Sequence, residues 1–329
     1  MSGENVPYHL RPNKFVERSL FLELLAHVNT VQPIAEYLYI GFGGPYLEDF
    51  KVLHQQFGIK RMLSLEQSAW VHKRQQFNLP YSCVRCRNQT SGEFLAEYDD
   101  AVRPYGKTRK VLVWLDYAKA DALREQLDEI RELTPRLRLH DLLKVTLNAN
   151  PSALGEDKAS RFEQLKARIA DFLPEGVTPD DITKDGYPKV LLKTLERTVK
   201  NGMSETSALM IQPLASFVYA DSNHQMLTFT GIVLNRDDNN AFLRGSRIGA
   251  LDFFKANWKE FQRIEVPFLS VREKLAIDSA VFHRGKQGRP PKRLVTKLTL
   301  AESPDKTLRL IEAYARFYRF YPHFHRVYY

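Results

Sequence analysis

The residues whose types and spacing point to chemistry are a cluster of glycines and the acid that follows them. Gly41, Gly43 and Gly44 come directly after a short apolar run, and Glu66 lies roughly 20 residues further on, as in nucleotide-binding βαβ units. Glycines in such a turn let a ligand approach the backbone, because no Cβ is in the way. The acid would accept hydrogen bonds from ribose hydroxyl groups, although an acid here can also be a helix cap. Together the two signals predict a cofactor site.

Alternating strands and helices must position these residues. We predict that the glycine turn leads from a strand into a helix that opens at Pro45, and that Glu66 ends the second strand. Asn88 lies just past the third predicted strand. Asp116 ends the fourth, an apolar run typical of a strand buried on both faces. The first predicted strand begins at residue 38, and the next four cover 61–66, 81–88, 110–117 and 137–150. The predicted helices cover 46–57, 69–78, 91–98 and 120–133, and Ser91 is the predicted N-cap of the third.

This alternation predicts an α/β fold, a Rossmann-like doubly wound and mostly parallel sheet. In such sheets, ligands bind at the carboxyl ends of the strands. The glycine turn, Glu66, Asn88 and Asp116 all fall at predicted carboxyl ends. We therefore expect these residues to lie along one edge of the sheet.

Helical and antiparallel segments follow the fifth strand. We predict a helical insertion at 151–202 and then an antiparallel β-hairpin, because turn residues separate two β-rich runs. The predicted domains are an N-terminal helical segment 1–36, the Rossmann-like domain 37–240 and a basic, aromatic α+β C-terminal extension 241–329. The finer predictions are insertion helices at 157–172 and 189–199, hairpin strands at 207–220 and 225–235, tail helices at 248–261, 269–277 and 304–317, and tail strands at 280–285 and 293–300.

The composition limits the class of protein. The chain has 329 residues, of which 43% are hydrophobic, enough for a sizeable core. No apolar run approaches the ~18 residues of a membrane span and the start has no signal-peptide core, so we expect a cytoplasmic protein without membrane contact. The two cysteines, Cys83 and Cys86, exclude a disulfide framework. They form a CxxC pair, but zinc needs about four ligands, so we expect no metal site.

Positive charge suggests a class of partner. Basic residues outnumber acidic ones by 48 to 39, which gives a net charge of +9. Such a surface favours polyanions where the charge is clustered, as in the segment RGKQGRPPKR at 284–293. Its core GRPPK resembles an AT-hook, an element that lies in the minor groove of A·T-rich DNA. Nonspecific phosphate contact and a merely solvated loop are the alternatives. The predicted nucleic-acid-binding residues are Arg284, Lys286, Arg289, Lys292 and Arg293.

The C-terminal tail is a second candidate for nucleic-acid contact. Residues 316–329, RFYRFYPHFHRVYY, interleave cations with aromatic side chains. Bases stack on aromatic rings in many nucleic-acid-binding proteins, and cations meet the phosphates. The same composition is typical of a helix that packs its aromatic side chains into a core, so both interpretations stay open.

Five alternating strands with these end residues, followed by a hairpin, resemble a class I S-adenosylmethionine-dependent methyltransferase. The resemblance covers residues 37–235 apart from the insertion, and more specifically the chain is similar to bacterial proteins classed as O-methyltransferases. It implies S-adenosylmethionine as the cofactor, with its ribose held by Glu66 and its adenine amine near Asn88. It also implies that the methionine part lies beside the glycine turn, whose residues are Gly41, Phe42, Gly43 and Gly44.

The end of the fourth strand bears on the acceptor. A hydroxyl acceptor gains from a nearby base, and Asp116 or Tyr117 could supply it. Asp116 is also a candidate for cofactor contact, while capping and packing are the ordinary alternatives for these two residues. By the same resemblance, enzymes that methylate amino groups usually carry an Asn or Asp followed by two prolines and an aromatic residue. The sequence LDY at 115–117 departs from that pattern and favours transfer to oxygen.

Three hypotheses follow for the function. The first is a methyltransferase that acts on a nucleic acid or a nucleic-acid-associated acceptor. The second is a catalytically inactive nucleic-acid-binding or interaction protein of a bacterial multi-component system, motivated by Tyr39 and Ile40 at positions where the resembled family often has an acid. The third is a small-molecule O-methyltransferase whose positive charge serves an acidic substrate. Protein partners are compatible with each hypothesis, and the oligomeric state is not predicted.

Overall fold

A computed structural model describes residues 11–106, 110–203, 208–221, 224–281 and 290–322. The strands are β1 (Leu38–Gly41), β2 (Arg61–Glu66), β3 (Val84–Asn88), β4 (Val111–Asp116), β5 (Leu142–Asn148), β6 (Leu209–Ala220), β7 (Gln225–Asn235) and β8 (Gln262–Ile264). The α-helices are α1 (Pro12–Asn29), α2 (Glu48–Phe57), α3 (Ala69–Phe77), α4 (Ser91–Ala96), α5 (Tyr98–Val102), α6 (Leu123–Leu133), α7 (Lys158–Ile169), α8 (Tyr187–Gly202), α9 (Asn239–Ser246), α10 (Val271–Val281), α11 (Lys292–Leu298) and α12 (Pro304–Phe317).

The strands form one mixed sheet with the order β3-β2-β1-β4-β5-β7-β6-β8. Strands β1 to β5 pair in parallel, and β7 runs antiparallel to β5. The strand order reverses between β1 and β4, which makes their carboxyl ends the switch point where doubly wound sheets bind ligands. The predicted fold class, a Rossmann-like and mostly parallel sheet that ends in antiparallel strands, is confirmed.

Apolar strands and amphipathic helices build the core around these strand ends. In β4 the first five residues are buried, as in a strand that is covered on both faces. Helix α6 buries Leu123, Leu127 and Ile130, which follow the i, i+4, i+7 spacing of one helix face. The strand ends are therefore held by a well-packed scaffold.

Signals for helix ends in the sequence were only partly accurate. Gly58 ends α2 in the left-handed region (φ 69°), and its N–H donates to the carbonyl oxygen of His54 at 2.8 Å, as a glycine after a helix does. The predicted N-cap at Ser91 is wrong by one residue. Thr90 Oγ1 accepts a hydrogen bond from the Glu93 N–H at 3.1 Å, and the Glu93 carboxylate accepts one from the Thr90 N–H at 2.8 Å. This capping box begins α4.

The chain divides into two compact units. The larger comprises Leu22–Val218 and Asn223–Gln262, and the smaller comprises Met1–Phe21, Tyr219–Ser222 and Arg263–Tyr329. The predicted domain boundaries after residues 36 and 240 stay predictions. No helix of the described residues is long and apolar enough to cross a membrane.

The predicted tail helix at 248–261 is wrong. Only Ile248–Ala250 forms a short 3-10 turn, and irregular backbone follows it. Trp258 stacks on Phe229 of β7, with ring centroids 4.1 Å apart and an angle of 14° between the planes. The segment around Trp258 is therefore irregular although its local sequence pattern favours a helix, because tertiary packing can override helix propensity.

The predicted tail strands are also wrong. Residues 293–300 were expected to alternate as a strand, but 292–298 form α11, in which the neighbours Leu294 and Val295 are both buried. A strand buries alternate residues, whereas adjacent residues can share the inner side of a helix. Of the strand predicted at 280–285, the first two residues end α10, and 282–285 lie outside the described residues.

Candidate functional site

The predicted site residues meet along one edge of the parallel sheet. Gly41 at the end of β1 is in register with Ser64 of β2 on one side and with Trp114 of β4 on the other. Glu66 ends β2 and is in register with Asn88 at the end of β3. Since these strands are parallel, the glycine turn and the strand-end residues lie on one rim, as predicted. Their functional roles stay predictions.

The glycine turn is packed so tightly that one of its residues has no room for a side chain. The Gly43 N–H donates to Ser64 Oγ at 3.2 Å. A Cβ on Gly43 would lie 2.3 Å from Leu47 Cδ2 and 2.6 Å from Ser64 Oγ. Gly44 has a φ of +51°, and no atom lies within 4 Å of the position of its missing Cβ. The turn therefore presents bare backbone at Gly44.

The helix after this turn begins later than predicted. Pro45 belongs to the turn, and α2 begins at Glu48 after Leu47, which has a left-handed φ of 54°. A left-handed backbone is uncommon for leucine, and here the Leu47 side chain is fully buried. The expectation of Pro45 as the first helical residue is therefore wrong, and the turn is longer than the sequence indicated.

Helix α3 supports the turn through residues that sequence reasoning missed. The buried Gln75 donates from Nε2 to the carbonyl oxygen of Gly44 at 2.9 Å, and Asn78 donates from Nδ2 to that of Pro45 at 2.8 Å. Ser64, which binds Gly43, is also fully buried. A serine inside the apolar run of β2 was the signal that could have pointed to this contact, because buried polar groups are hydrogen-bonded.

Glu66 and Asn88 are joined through the backbone at their strand ends. Glu66 Oε1 accepts a hydrogen bond from the Ser68 N–H at 2.8 Å. Asn88 donates from Nδ2 to the carbonyl oxygens of Glu66 at 2.7 Å and Gln67 at 3.2 Å. A carboxylate accepts up to about four hydrogen bonds, and the Ser68 N–H takes one of them. The Asn88 amide is fixed in orientation, with its Nδ2 directed at the backbone.

Gln89 is a further polar residue at the end of β3. Its Nε2 donates to Glu97 Oε2 at 3.3 Å, while its Oε1 is buried and has no hydrogen-bond partner among the described residues. Gln75 Oε1, beside the glycine turn, is in the same situation. Unsatisfied buried acceptors are uncommon and call for a donor. Similar buried oxygen atoms without a partner occur elsewhere among the described residues, for example at Gln126 and Asn239, so the two on this rim are compatible with a ligand but are not specific to it.

At the end of β4 the two predicted acceptor-side residues have different environments. Asp116 is partly exposed and is in register with Thr146 of β5. Tyr117 is buried, and its hydroxyl donates to the carboxylate of Glu129 on α6. Burial, reinforced by the Glu129 charge, raises the pKa of Tyr117 well above its usual value. A phenol that stays protonated near neutrality cannot accept a proton from the acceptor, so Asp116 is the better candidate for general base.

Tyr117 instead contributes to the packing of the turn. Its ring meets Phe42 edge to face, with the centroids 5.7 Å apart. Phe42 is the residue between the first two glycines of the turn, and it is half-buried. The contact links the end of β4 to the end of β1. The two aromatic residues predicted for the site are thus brought together as neighbours.

Only part of the predicted basic loop is described. Arg284, Lys286 and Arg289 lie outside the described residues. Lys292 and Arg293 are exposed in the first turn of α11. In the predicted basic tail, Tyr321 is buried and donates from its hydroxyl to the carbonyl oxygen of Pro267 at 2.9 Å. Residues 323–329 are outside the described part of the chain.

The CxxC pair shows no metal-type arrangement. Within the described ranges, no group of three or more His, Cys, Asp or Glu side chains is placed to hold a metal ion. Both cysteines are half-buried free thiols. Burial raises the pKa of Cys86 to about 11, so its thiol stays protonated near neutrality. A metal ligand or nucleophile requires the thiolate.

The polar groups on this rim fit an adenosine-containing cofactor. Glu66 would offer carboxylate oxygens to ribose hydroxyls, and Gln89 Oε1 is a buried acceptor that an adenine amine could satisfy. The open backbone at Gly44 leaves space for a ligand chain. The chemistry of this set matches the cofactor that the sequence implied.

No curated protein sequence matches the chain. Solved structures with a similar arrangement include the N-methyltransferase NodS of Bradyrhizobium japonicum, with 10% identity, a TM-score of 0.37 and coverage of 67% of this chain and 97% of that chain. A DUF574 family protein of Streptomyces avermitilis has 13% identity, a TM-score of 0.41 and coverage of 67% and 83%. Trm1 of Pyrococcus horikoshii, solved with S-adenosyl-L-methionine, has 9% identity, a TM-score of 0.42 and coverage of 90% and 76%.

The family is shown by the sequence itself. Residues 6–329 match the model of the family described as "Putative O-methyltransferase", which covers nearly the whole chain. The fold class agrees with this match, and S-adenosylmethionine is the cofactor that such an enzyme uses. The chain therefore belongs to this O-methyltransferase family and is a class I S-adenosylmethionine-dependent methyltransferase.

Proposed function

We propose that the protein transfers a methyl group to an oxygen atom of a nucleic acid. The observation that carries the acceptor class is the charge of α11. Lys292, Arg293 and Lys297 are exposed on this helix, whose sequence KRLVTKL contains no acidic residue. Exposed cations on one short helix favour contact with phosphates. The family match and the absence of the prolyl pattern after Asp116 support oxygen as the acceptor atom.

The proposed roles follow from the positions on the rim. The bound cofactor supplies an electrophilic methyl group on its sulfonium, and the protein contributes mainly positioning and exclusion of water. Glu66 would hold the ribose hydroxyls, while Gln89 or Asn88 would accept from the adenine amine. Asp116 would accept the proton of the acceptor hydroxyl, since it is partly exposed at the end of β4. Tyr117 would keep Phe42 and the turn in place.

Calorimetric titration with S-adenosylmethionine and with its demethylated product tests the cofactor site. Glu66→Ala removes the carboxylate that would accept two ribose hydroxyls, so we expect at least about a tenfold loss of affinity, because hydrogen bonds to a charged group are each worth about 1.5–3 kcal/mol. Glu125→Ala, at an exposed acid on α6, is the matched control and should bind as the wild type does. Equal affinity of the Glu66 variant would contradict the assignment.

Transfer of a labelled methyl group into RNA, DNA and small-molecule fractions tests the acceptor. We expect label in a nucleic-acid fraction, and we expect the double variant Lys292→Glu/Arg293→Glu to lose most of it, because charge reversal repels phosphates. Lys189→Glu/Lys193→Glu, at two exposed lysines of α8, is the charge-matched control. Label only in small molecules would favour a small-molecule O-methyltransferase instead.

One observation favours a second candidate, an inactive nucleic-acid-binding protein of the same fold. Tyr39 stands where the family often has an acid, and it is buried with its ring edge to face on Phe50 at 4.7 Å. Its hydroxyl lies 2.6 Å from where a Cβ of Gly41 would be. This candidate predicts nucleic-acid binding without turnover, so any methyl transfer above background would rule it out.

A further inference from the structure

Helix α3 presents an exposed face of aromatic and basic side chains. Trp70 is 58% exposed and Phe77 is 91% exposed, although apolar side chains of this size are usually covered. Lys73 is also exposed, and Arg74 is partly so. These four residues occupy positions i, i+3, i+4 and i+7, which lie on one side of a helix. We call them the α3 platform.

The surrounding segment carries positive charge alone. From residue 67 to residue 92 the sequence contains no aspartate or glutamate, but it contains Lys73, Arg74, Arg85 and Arg87. Aromatic side chains and arginine are also enriched in protein–protein interfaces, but lysine is depleted there, whereas exposed aromatic rings beside cations on a segment without acids are typical of single-stranded nucleic-acid sites. The charge and the aromatic rings therefore favour a polyanion that also offers flat rings.

The α3 platform is joined to the glycine turn by direct contacts. The Arg74 guanidinium lies 5.1 Å from the ring centroid of Trp70 and 5.2 Å from that of Tyr46, and it donates to the Tyr46 hydroxyl at 3.3 Å. Tyr46 belongs to the turn that follows Gly44. The cation between two rings holds Trp70 in place and keeps the platform next to the cofactor turn.

We propose that the α3 platform binds a single-stranded segment of the nucleic-acid acceptor. Bases stack on Trp70 and Phe77, and phosphates contact Lys73 and Arg74. The inference rests on the proposed function, since it assumes a nucleic-acid acceptor. It adds a binding site to the unit that carries the cofactor turn.

Fluorescence anisotropy with labelled oligouridylate and oligothymidylate of about a dozen nucleotides tests the platform, because single-stranded sites cover roughly 4–16 nucleotides. We expect Trp70→Ala and Phe77→Ala each to weaken binding by about tenfold, the typical loss for one stacked base. Lys73→Ala should reduce the slope of log affinity against log salt by about 0.7, as for one lost phosphate contact of a single strand.

Intrinsic fluorescence gives a readout that a merely structural role would not produce. Of the three tryptophans, Trp114 is 2% exposed and Trp258 is stacked on Phe229, so Trp70 is the exposed one. Stacking of a base on Trp70 should quench its emission. Trp70→Phe should retain most of the affinity and lose the quenching, since a phenyl ring still stacks.

Matched controls separate the α3 platform from general effects. Phe268→Ala removes another exposed phenylalanine, 64% exposed, and Lys189→Ala removes another exposed lysine. Both should bind the oligonucleotides as the wild type does. Since Trp70 and Phe77 are exposed, their alanine variants should keep the melting temperature of the wild type.

The outcomes distinguish this inference from the proposed function. If the wild type binds oligonucleotides and the platform variants bind equally well, the α3 platform is not the binding site, and the proposed function is unaffected. If the wild type binds no nucleic acid and transfers no labelled methyl group to it, both the proposed acceptor class and the α3 platform proposal are wrong. A change in sedimentation on Trp70→Ala, with unchanged oligonucleotide binding, would show that the face meets a second copy of the chain and would overturn the proposal.

Discussion

At the scale of single residues, Gly43 shows how tertiary contacts fix the identity of a site residue. Its N–H binds Ser64 Oγ at 3.2 Å, and the Leu47 side chain occupies the other side of the position that a Cβ would take. Glycine was recognisable from the sequence as part of a turn. A Cβ here would require the side chains of Leu47 and Ser64 to shift, and the local sequence does not reveal the contact with Ser64 on the neighbouring strand.

Gly43→Ala should destabilise the protein by about 1–3 kcal/mol, the usual cost of forcing an extra methyl group into a packed site. The reason is the pair of contacts at 2.3 Å and 2.6 Å that its Cβ would make with Leu47 and Ser64. Urea denaturation followed by circular dichroism measures the change. Gly249→Ala is the control, because no atom lies within 4 Å of its added Cβ. Equal stability of the two variants would contradict this account of the turn.

At the scale of elements, the start of α1 depends on a residue far along the chain. Asp221 Oδ1 accepts from the Asn13 N–H and Asp221 Oδ2 from the Lys14 N–H, each at 2.8 Å. Asn13 in turn donates from Nδ2 to the carbonyl oxygen of Ala220 at 3.0 Å and accepts from the Val266 N–H at 2.7 Å. These contacts lie within the smaller unit. The carboxylate caps the helix and also opposes the positive end of its dipole.

Asp221→Ala should lower the stability of the smaller unit by about 0.5–2 kcal/mol, the range measured for loss of an N-cap residue. Two backbone N–H groups of α1 would lose their acceptor. Hydrogen exchange at Asn13 and Lys14, read by mass spectrometry or NMR, should become faster than in the wild type. Asp252→Ala, at an exposed aspartate, is the control and should leave exchange in α1 unchanged. Unchanged protection in the Asp221 variant would refute the cap.

At the scale of the whole molecule, buried phenols link stability to pH. Burial is the main cause that raises the pKa of Tyr37, Tyr117 and Tyr187 above the usual value. In the unfolded chain a tyrosine ionises at a pH of about 10. Above that pH the unfolded state loses protons that the folded state keeps, so unfolding becomes more favourable as the pH rises. Below it both states are protonated, and the contribution to stability is complete.

The free energy of unfolding should therefore fall above a pH of about 10, by about 1.4 kcal/mol per pH unit for each such tyrosine. Tyr187→Phe should make this decline shallower by that amount, because phenylalanine does not ionise in either state. Urea denaturation at a series of pH values measures the slopes. The difference in the free energy of unfolding between variant and wild type at neutral pH serves as the internal reference. Parallel curves through the alkaline range would contradict the linkage.

Much of the fold and the placement of the site were determined by the sequence alone. Glu66, Asn88 and Asp116 could be placed at strand ends because the hydrophobic periodicity of strands and helices can be recognised within windows of about ten residues. The hairpin strands and the helix Pro304–Phe317 were predictable for the same reason. Family membership follows from the chain as a whole, since the match covers residues 6–329.

The tertiary structure alone decided which side chains support those residues. Ser64 and Gln75 reach the glycine turn from β2 and α3, and Asp221 caps a helix 208 residues before it. Tyr117, which the sequence made a candidate base, is turned to Glu129 and kept neutral by burial. Contacts between residues so far apart leave no periodic trace in the chain, because they depend on the packing of whole elements rather than on local hydrophobic pattern.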